Sequence, residues 1–166
     1  MFNFIRLLNK KTDTKLLLLG RFMNNAEGKK WVEKINADQS LTDSIEIIGE
    51  VTEKEKLELY QEAFAFILPR RNHKDEIASF PTRLIEYLIE GKLVIASPIG
   101  DIPYYLSEDD LIYLKSDNLL ETVEKTVMAI EDQNAYFLKC NKGFAKAKQS
   151  FNSKKHMNQI LKMIDA

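Results

Sequence analysis

A chain of 166 residues, 45% hydrophobic and 30% charged, has the balance of a folded globular domain and the length to bury a core, which excludes a disordered polymer. The formal net charge of −1 excludes an overall pull toward nucleic acid, and the lysines that thicken after Lys139 read as a solvated helix face. One cysteine, Cys140, excludes an internal disulfide and sets the expectation of a reducing, cytoplasmic setting in which the thiol is a packing group.

The opening "MFNFIRLLNKK" has helical character and lacks the apolar core of a signal peptide, and no later apolar run has membrane-spanning length. "LLLL" (16–19), "IEII" (45–48), "FAFIL" (64–68), "LVIA" (93–96) and "LIYL" (111–114) are strand-sized, and most are continuous apolar runs, as expected of strands covered on both faces. Between them "GKKWVEKINA", "EKEKLELYQEA", "PTRLIEYLIE" and "DIPYYLSE" carry helical spacing, with Leu57, Tyr60 and Phe64 forming a stripe in the second. Alternating strands and helices predict an α/β domain of the Rossmann-like kind, about five parallel strands with helices on both faces. From Asn118 onward the pattern is helical, with "LLETVEKTVMAIED" and residues 135–164 predicting two or three helices. With no linker or repeat, residues 1–166 read as one domain: a core over 14–132 and C-terminal helices over 133–166.

Glycines punctuate this plan. Gly20 and Gly49 follow the first two strands, Gly91 occupies a helix C-terminus, and Gly100 follows the fourth strand. Ligands of open α/β sheets bind outside the carboxyl ends of strands, so the candidate site loops are 20–28, 49–53, 69–81 and 97–102.

Several chemistries are missing. There is no Walker A, no G-x-G-x-x-G and no G-x-S-x-G. His73 and His156 lie far apart, with no ligand spacing for zinc, and no D-x-D provides a metal-bridging carboxylate pair. "LLLLGRF" and "FAFILPRRN" end strands in arginine, which suits holding an anion better than accepting a phosphoryl group.

Arg70, Arg71, Asn72, His73 and Lys74 follow the third strand, and Pro81 pre-sets the first turn of the next helix. The unpaired N–H groups of that turn, with Thr82 and Arg83 beside them, form a place for an anion. Arg83 and Glu86, three positions apart, project from one face. They either pair on a solvated surface or present a guanidinium to phosphate and a carboxylate to the two hydroxyls of a ribose.

"FPTRLIEYLIEGKLVIASPIGDIPYYL" resembles the nucleotide-sugar-binding half of GT-B glycosyltransferases of family 4, the glycosyl transferases group 1. The matching residues are Pro81, Arg83, Glu86-Tyr87, Gly91-Lys92 and Val94-Ile95-Ala96-Ser97, and "SIEIIGEVTEKEKLELYQEAFAFILP" continues the likeness upstream. The resemblance spans residues 14–132. It implies a donor-binding domain for a UDP- or GDP-sugar, with no cofactor or metal and the leaving diphosphate held by helix dipole and basic side chains. It implies that Glu86, as second glutamate of an E-x7-E motif, grips the ribose. Residues Ser79, Pro81, Thr82 and Arg83 lie near diphosphate and sugar, and the backbone of Gly49, Val51 and Thr52 lies against the base. No catalytic residue is named by it.

The sequence departs from the family pattern at two places. The first motif glutamate falls on Ala78, with Asp75 and Glu76 close but out of register. The family's opening strand, and the Arg and Lys that follow it, are expected to lie outside this chain ahead of "MFNFIRLL", with Arg21 expected as a partial substitute. The acceptor-binding N-terminal domain is also expected to lie outside this chain, so that 166 residues alone do not transfer sugar. The expected parent enzyme is a bacterial hexosyltransferase of the retaining type. It would act on a glycan or lipid-linked saccharide in capsule or other surface polysaccharide synthesis, in the cytoplasm or peripherally at the inner membrane face. Two other readings stay open: a non-catalytic docking or nucleotide-binding module that keeps the fold, and an epimerase of GT-B architecture.

Overall fold

The computed structural model describes residues 1–152. It consists of two compact units, Met1–Ala63 with Lys115–Glu131, and Phe64–Leu114 with the described part of Asp132–Ala166. All strand pairs are parallel. The predicted α/β class with Rossmann-like βα alternation holds, and the five strands among the described residues are hydrogen-bonded as a pair and a triplet. Apolar runs announce strands but do not name their partners.

In the first unit, α1 (Phe2–Asn9) is followed by β1 (Leu16–Leu19), a 3-10 turn at Phe22–Asn24, α2 (Ala26–Asn36), α3 (Gln39–Thr42), β2 (Ile45–Gly49) and α4 (Glu53–Glu62). Helix α8 (Leu119–Glu131) belongs to the same unit and packs on α1. Phe4, Ile5 and Leu8 recur at helical spacing and are buried, as is Val123 of α8. Strand β1 pairs with β2 from Leu16↔Ile45, with a register shift at Leu18/Leu19 that brings Leu19 opposite Gly49.

The run "LLLL" is only partly covered, with Leu17 exposed, so a continuous apolar run does not ensure burial on both faces. Leu57 and Tyr60 lie on α4 as their helical spacing predicts, while Phe64 falls beyond its end; α4 has no buried residue, and Leu57 is 51% exposed.

The second unit holds β3 (Ala65–Leu68), α5 (Lys74–Ile77), α6 (Thr82–Ile89), β4 (Leu93–Ala96), α7 (Ile102–Tyr105), β5 (Ile112–Tyr113) and α9 (Gln133–Ser150). Strand β4 is central, between β3 and β5, and all four of its residues are buried. Here the continuous apolar run is covered on both faces, as its sequence predicts. The core comprises Leu84 and Leu88 from α6, Val94 and Ala96 from β4, Ile102, Leu106 and Leu111, closed by Ala147 of α9. Burying each such leucine contributes about 1.5–3 kcal/mol. Burial of Leu84 and Leu88 fixes which side of α6 faces inward, and Tyr87 stacks on Phe66 of β3 at 4.4 Å to hold it there.

Gly91 takes a positive φ just past α6, as its predicted C-terminal role requires. Of the tail, α8 and α9 are the predicted helices, while the part of the 135–164 reading beyond residue 152 lies outside the described residues. Among the described residues, no helix is long and apolar enough to cross a membrane.

Candidate functional site

The loop that leaves β3 crosses directly in front of α6. Its path is set by Arg70, whose side chain is only 9% exposed. The backbone N–H of Arg70 donates to Ser97 Oγ at 2.9 Å, tying the end of β3 to the residue after β4. Its guanidinium then turns into the loop. Nη1 donates to the Ser79 carbonyl at 2.9 Å, and Nη2 donates to Ser79 Oγ at 2.9 Å and to the Glu76 carbonyl. The Glu76 carboxylate closes the ring, lying 3.5 Å from Arg70 Nε and accepting from the Arg71 backbone N–H at 2.9 Å. Burial pushes the Glu76 carboxyl up, but the Arg71 hydrogen bonds and the charges of Arg70 and Arg71 outweigh it, and its pKa lies below the ordinary value.

Behind the loop, Gly100 permits a close approach. Its φ is +62°, and a Cβ there would stand 2.6 Å from the Ile77 carbonyl oxygen. The 70–79 segment is therefore held on one side by the Arg70 fork and on the other by the turn after β4.

A solvent-open cleft of about 380 Å3 lies between this loop and α6. Its volume is within the range of small-ligand sites. It is lined by the end of β3, by Arg70 and Glu76, and by the run Ser79, Phe80, Pro81, Thr82, Arg83. Pro81 is extended and sits one position before the helix instead of inside its first turn, and no side chain caps α6. The N–H groups that open the helix have no carbonyl four residues back within it, so they and the positive end of its dipole suit an anion. Arg83 and Glu86 are both exposed. Among the described residues, neither makes a side-chain hydrogen bond or ion pair, which removes the alternative of a simple surface pair. Glu86 stands one turn beyond the residues that line the cleft.

The remaining predicted residues belong to the first unit. Gly49 ends β2 with φ +83° and accepts a hydrogen bond from the Gly20 N–H at 2.7 Å. Val51 is half-buried. The Thr52 polar groups are engaged locally: Thr52 N–H and hydroxyl meet Glu55 Oε2 at 2.7 Å each, and Glu55 N–H donates back to Thr52 Oγ1, a capping box at the head of α4. Arg21 is paired with Glu50, Nε to Oε1 at 2.7 Å, on an exposed surface. It is thus a charge with a partner, not an unopposed diphosphate ligand.

Two residues carry more of the site than their sequence context suggested. In sequence, Arg70 is one of five polar residues opening the candidate loop 69–81, with nothing to single it out, and Glu76 is a carboxylate out of register with the motif. The Glu76 carboxylate is committed to Arg70 and Arg71, so it does not replace the glutamate missing at Ala78, which closes the C-terminal end of α5. His73 pairs with Asp75 at the surface, 3.3 Å away. The Cys140 thiol is buried and its pKa is pushed up by that burial, in keeping with a packing role. Among the described residues, no cluster of three His, Cys, Asp or Glu side chains is placed to hold a metal ion.

The profile of the family described as glycosyl transferases group 1 matches residues 2–160. The chain belongs to that family. Solved structures with the same fold include Anabaena HepE in complex with UDP, at 15% identity and a TM-score of 0.74 over 98% of this chain and 44% of that one. A complex of HepE with UDP-glucose matches at 14% identity and a TM-score of 0.75, over 98% and 44%. Sucrose-phosphate synthase from Thermosynechococcus elongatus matches at 17% identity and 0.74, over 98% and 42%. The glycosyl transferases group 1 chain thus spans less than half the length of these structures and has the fold of a C-terminal GT-B domain. No curated protein sequence matches it significantly.

Proposed function

We propose that this chain is the donor-binding side of a glycosyltransferase, holding a UDP- or GDP-sugar in the cleft between the β3 loop and α6. The observation that carries the reading is the pairing of an uncapped α6 N-terminus with two unpartnered side chains one turn apart, Arg83 and Glu86. The open N–H groups, the Thr82 hydroxyl and the Arg83 guanidinium would receive the diphosphate. Glu86 would accept the ribose hydroxyls. When the bond from the sugar to the diphosphate breaks, negative charge grows on the leaving oxygen, and fixed dipoles and a guanidinium aimed at it lower the barrier. The same reading makes the parent enzyme a retaining hexosyltransferase acting on a glycan or lipid-linked acceptor in surface polysaccharide synthesis. Transfer then requires a second cleft wall to orient the acceptor.

That HepE is solved with UDP and UDP-glucose supports a uridine donor over a guanosine one. Parallel titrations with UDP and GDP test this. Binding of UDP in preference to GDP is expected, and equal indifference to both would remove the donor-site reading. A specific observation supports the non-catalytic alternative as well: Ala78 has no carboxylate, and Glu76 is not free to supply one.

A further inference from the structure

We propose that Arg70 is a positioning residue of the donor cleft, acting through Ser79 on the anion-binding turn of α6; this rests on the donor-site reading above. The side chain is nearly buried yet belongs to a loop, and its three hydrogen bonds and its ion pair with Glu76 all fall on the segment that leads into the helix. Its own backbone is anchored to Ser97, which is buried at the end of β4, so the fork transmits the position of the sheet to Ser79. Ser79 is held twice by that fork, and its hydroxyl passes a further hydrogen bond to the Asp75 carbonyl at 2.9 Å. Only Phe80 and Pro81 separate Ser79 from Thr82, whose N–H opens the helix. Pro81 fixes one backbone dihedral of that short link, so a shift of Ser79 is carried into the cleft. A lysine cannot reproduce the arrangement, because the contacts diverge from a planar group with several fixed donors.

The test is titration of UDP and of uridine into the chain and into Arg70→Ala, Arg70→Lys and Glu76→Gln. Uridine lacks the diphosphate and so separates a misplaced anion turn from general loss of structure. Loss of about tenfold or more in UDP affinity is expected for both Arg70 variants, with a smaller loss for Glu76→Gln and uridine binding unchanged. Glu76→Gln keeps the bulk of the loop and remains informative where Arg70→Ala does not fold. UDP affinity unchanged in the folded Arg70 variants, or UDP and uridine weakened alike, would overturn the positioning role while leaving the donor site standing. A wild-type chain that binds no UDP would overturn both.

Discussion

Arg83 and Glu86 lie three positions apart on α6 and, although opposite in charge, do not bond to each other. At this spacing an ion pair is worth only a few tenths of a kcal/mol, so leaving it unmade costs the helix little. Both side chains remain available to a ligand. Their exposure follows from the opposite side of the helix, where Leu84 and Leu88 are 0% and 1% exposed.

Arg83→Ala should weaken UDP binding about tenfold with little change in melting temperature, since an exposed, unpartnered side chain contributes little to stability. Titration at low and raised salt checks this. The wild-type affinity should fall with ionic strength more steeply than that of the variant, because one phosphate contact has been removed.

Thr52→Ala should destabilise the protein by about 1 kcal/mol, the usual cost of removing an N-cap. The variant loses the Oγ1 that accepts from the Glu55 N–H but keeps the backbone N–H that donates to the Glu55 carboxylate, and urea unfolding measures the loss.

Gly100→Ala should cost about 1–3 kcal/mol, through the positive φ and through the clash with the Ile77 carbonyl. The same change should loosen α5, seen as faster amide exchange over residues 74–78. Unchanged exchange there would show that the turn does not brace the loop.

The Glu76 carboxyl has a folded pKa below its ordinary value of 4.5. Its stabilising contribution is therefore fully present above that value and is lost as pH falls through the lower folded pKa. The gap in urea midpoint between wild type and Glu76→Gln should be largest near neutrality and close below about pH 4.5. A gap independent of pH would mean that the ion pairs with Arg70 and Arg71 contribute nothing.

The strands were legible because each falls in a short, mostly apolar run, although Glu46 interrupts β2, and β4 is buried at all four of its positions while the equally continuous β1 is not. The last strand is Ile112–Tyr113, shorter than the apolar run 111–114: Leu111 and Leu114 are buried beside it, and Leu114 adds one N–H bond to the Ala96 carbonyl. Helix α6 and its Arg83/Glu86 face were legible from spacing. The Arg70 clamp was not, because its contacts reach six and nine residues ahead, at no helix or strand period. The short α5 inside the same loop left no amphipathic signal over four residues. The Thr52 capping box did leave one, Thr-Glu-Lys-Glu, which marks the start of α4 and argues for a structural use of that hydroxyl.

The central claim is tested most directly by titrating UDP into this chain and into Glu86→Ala. The account predicts saturable binding by the wild type and a loss of about tenfold or more in the variant, with unfolding unchanged. Equal affinity of the two proteins for UDP would contradict the assignment of Glu86 to the nucleotide and, with it, the donor site on α6.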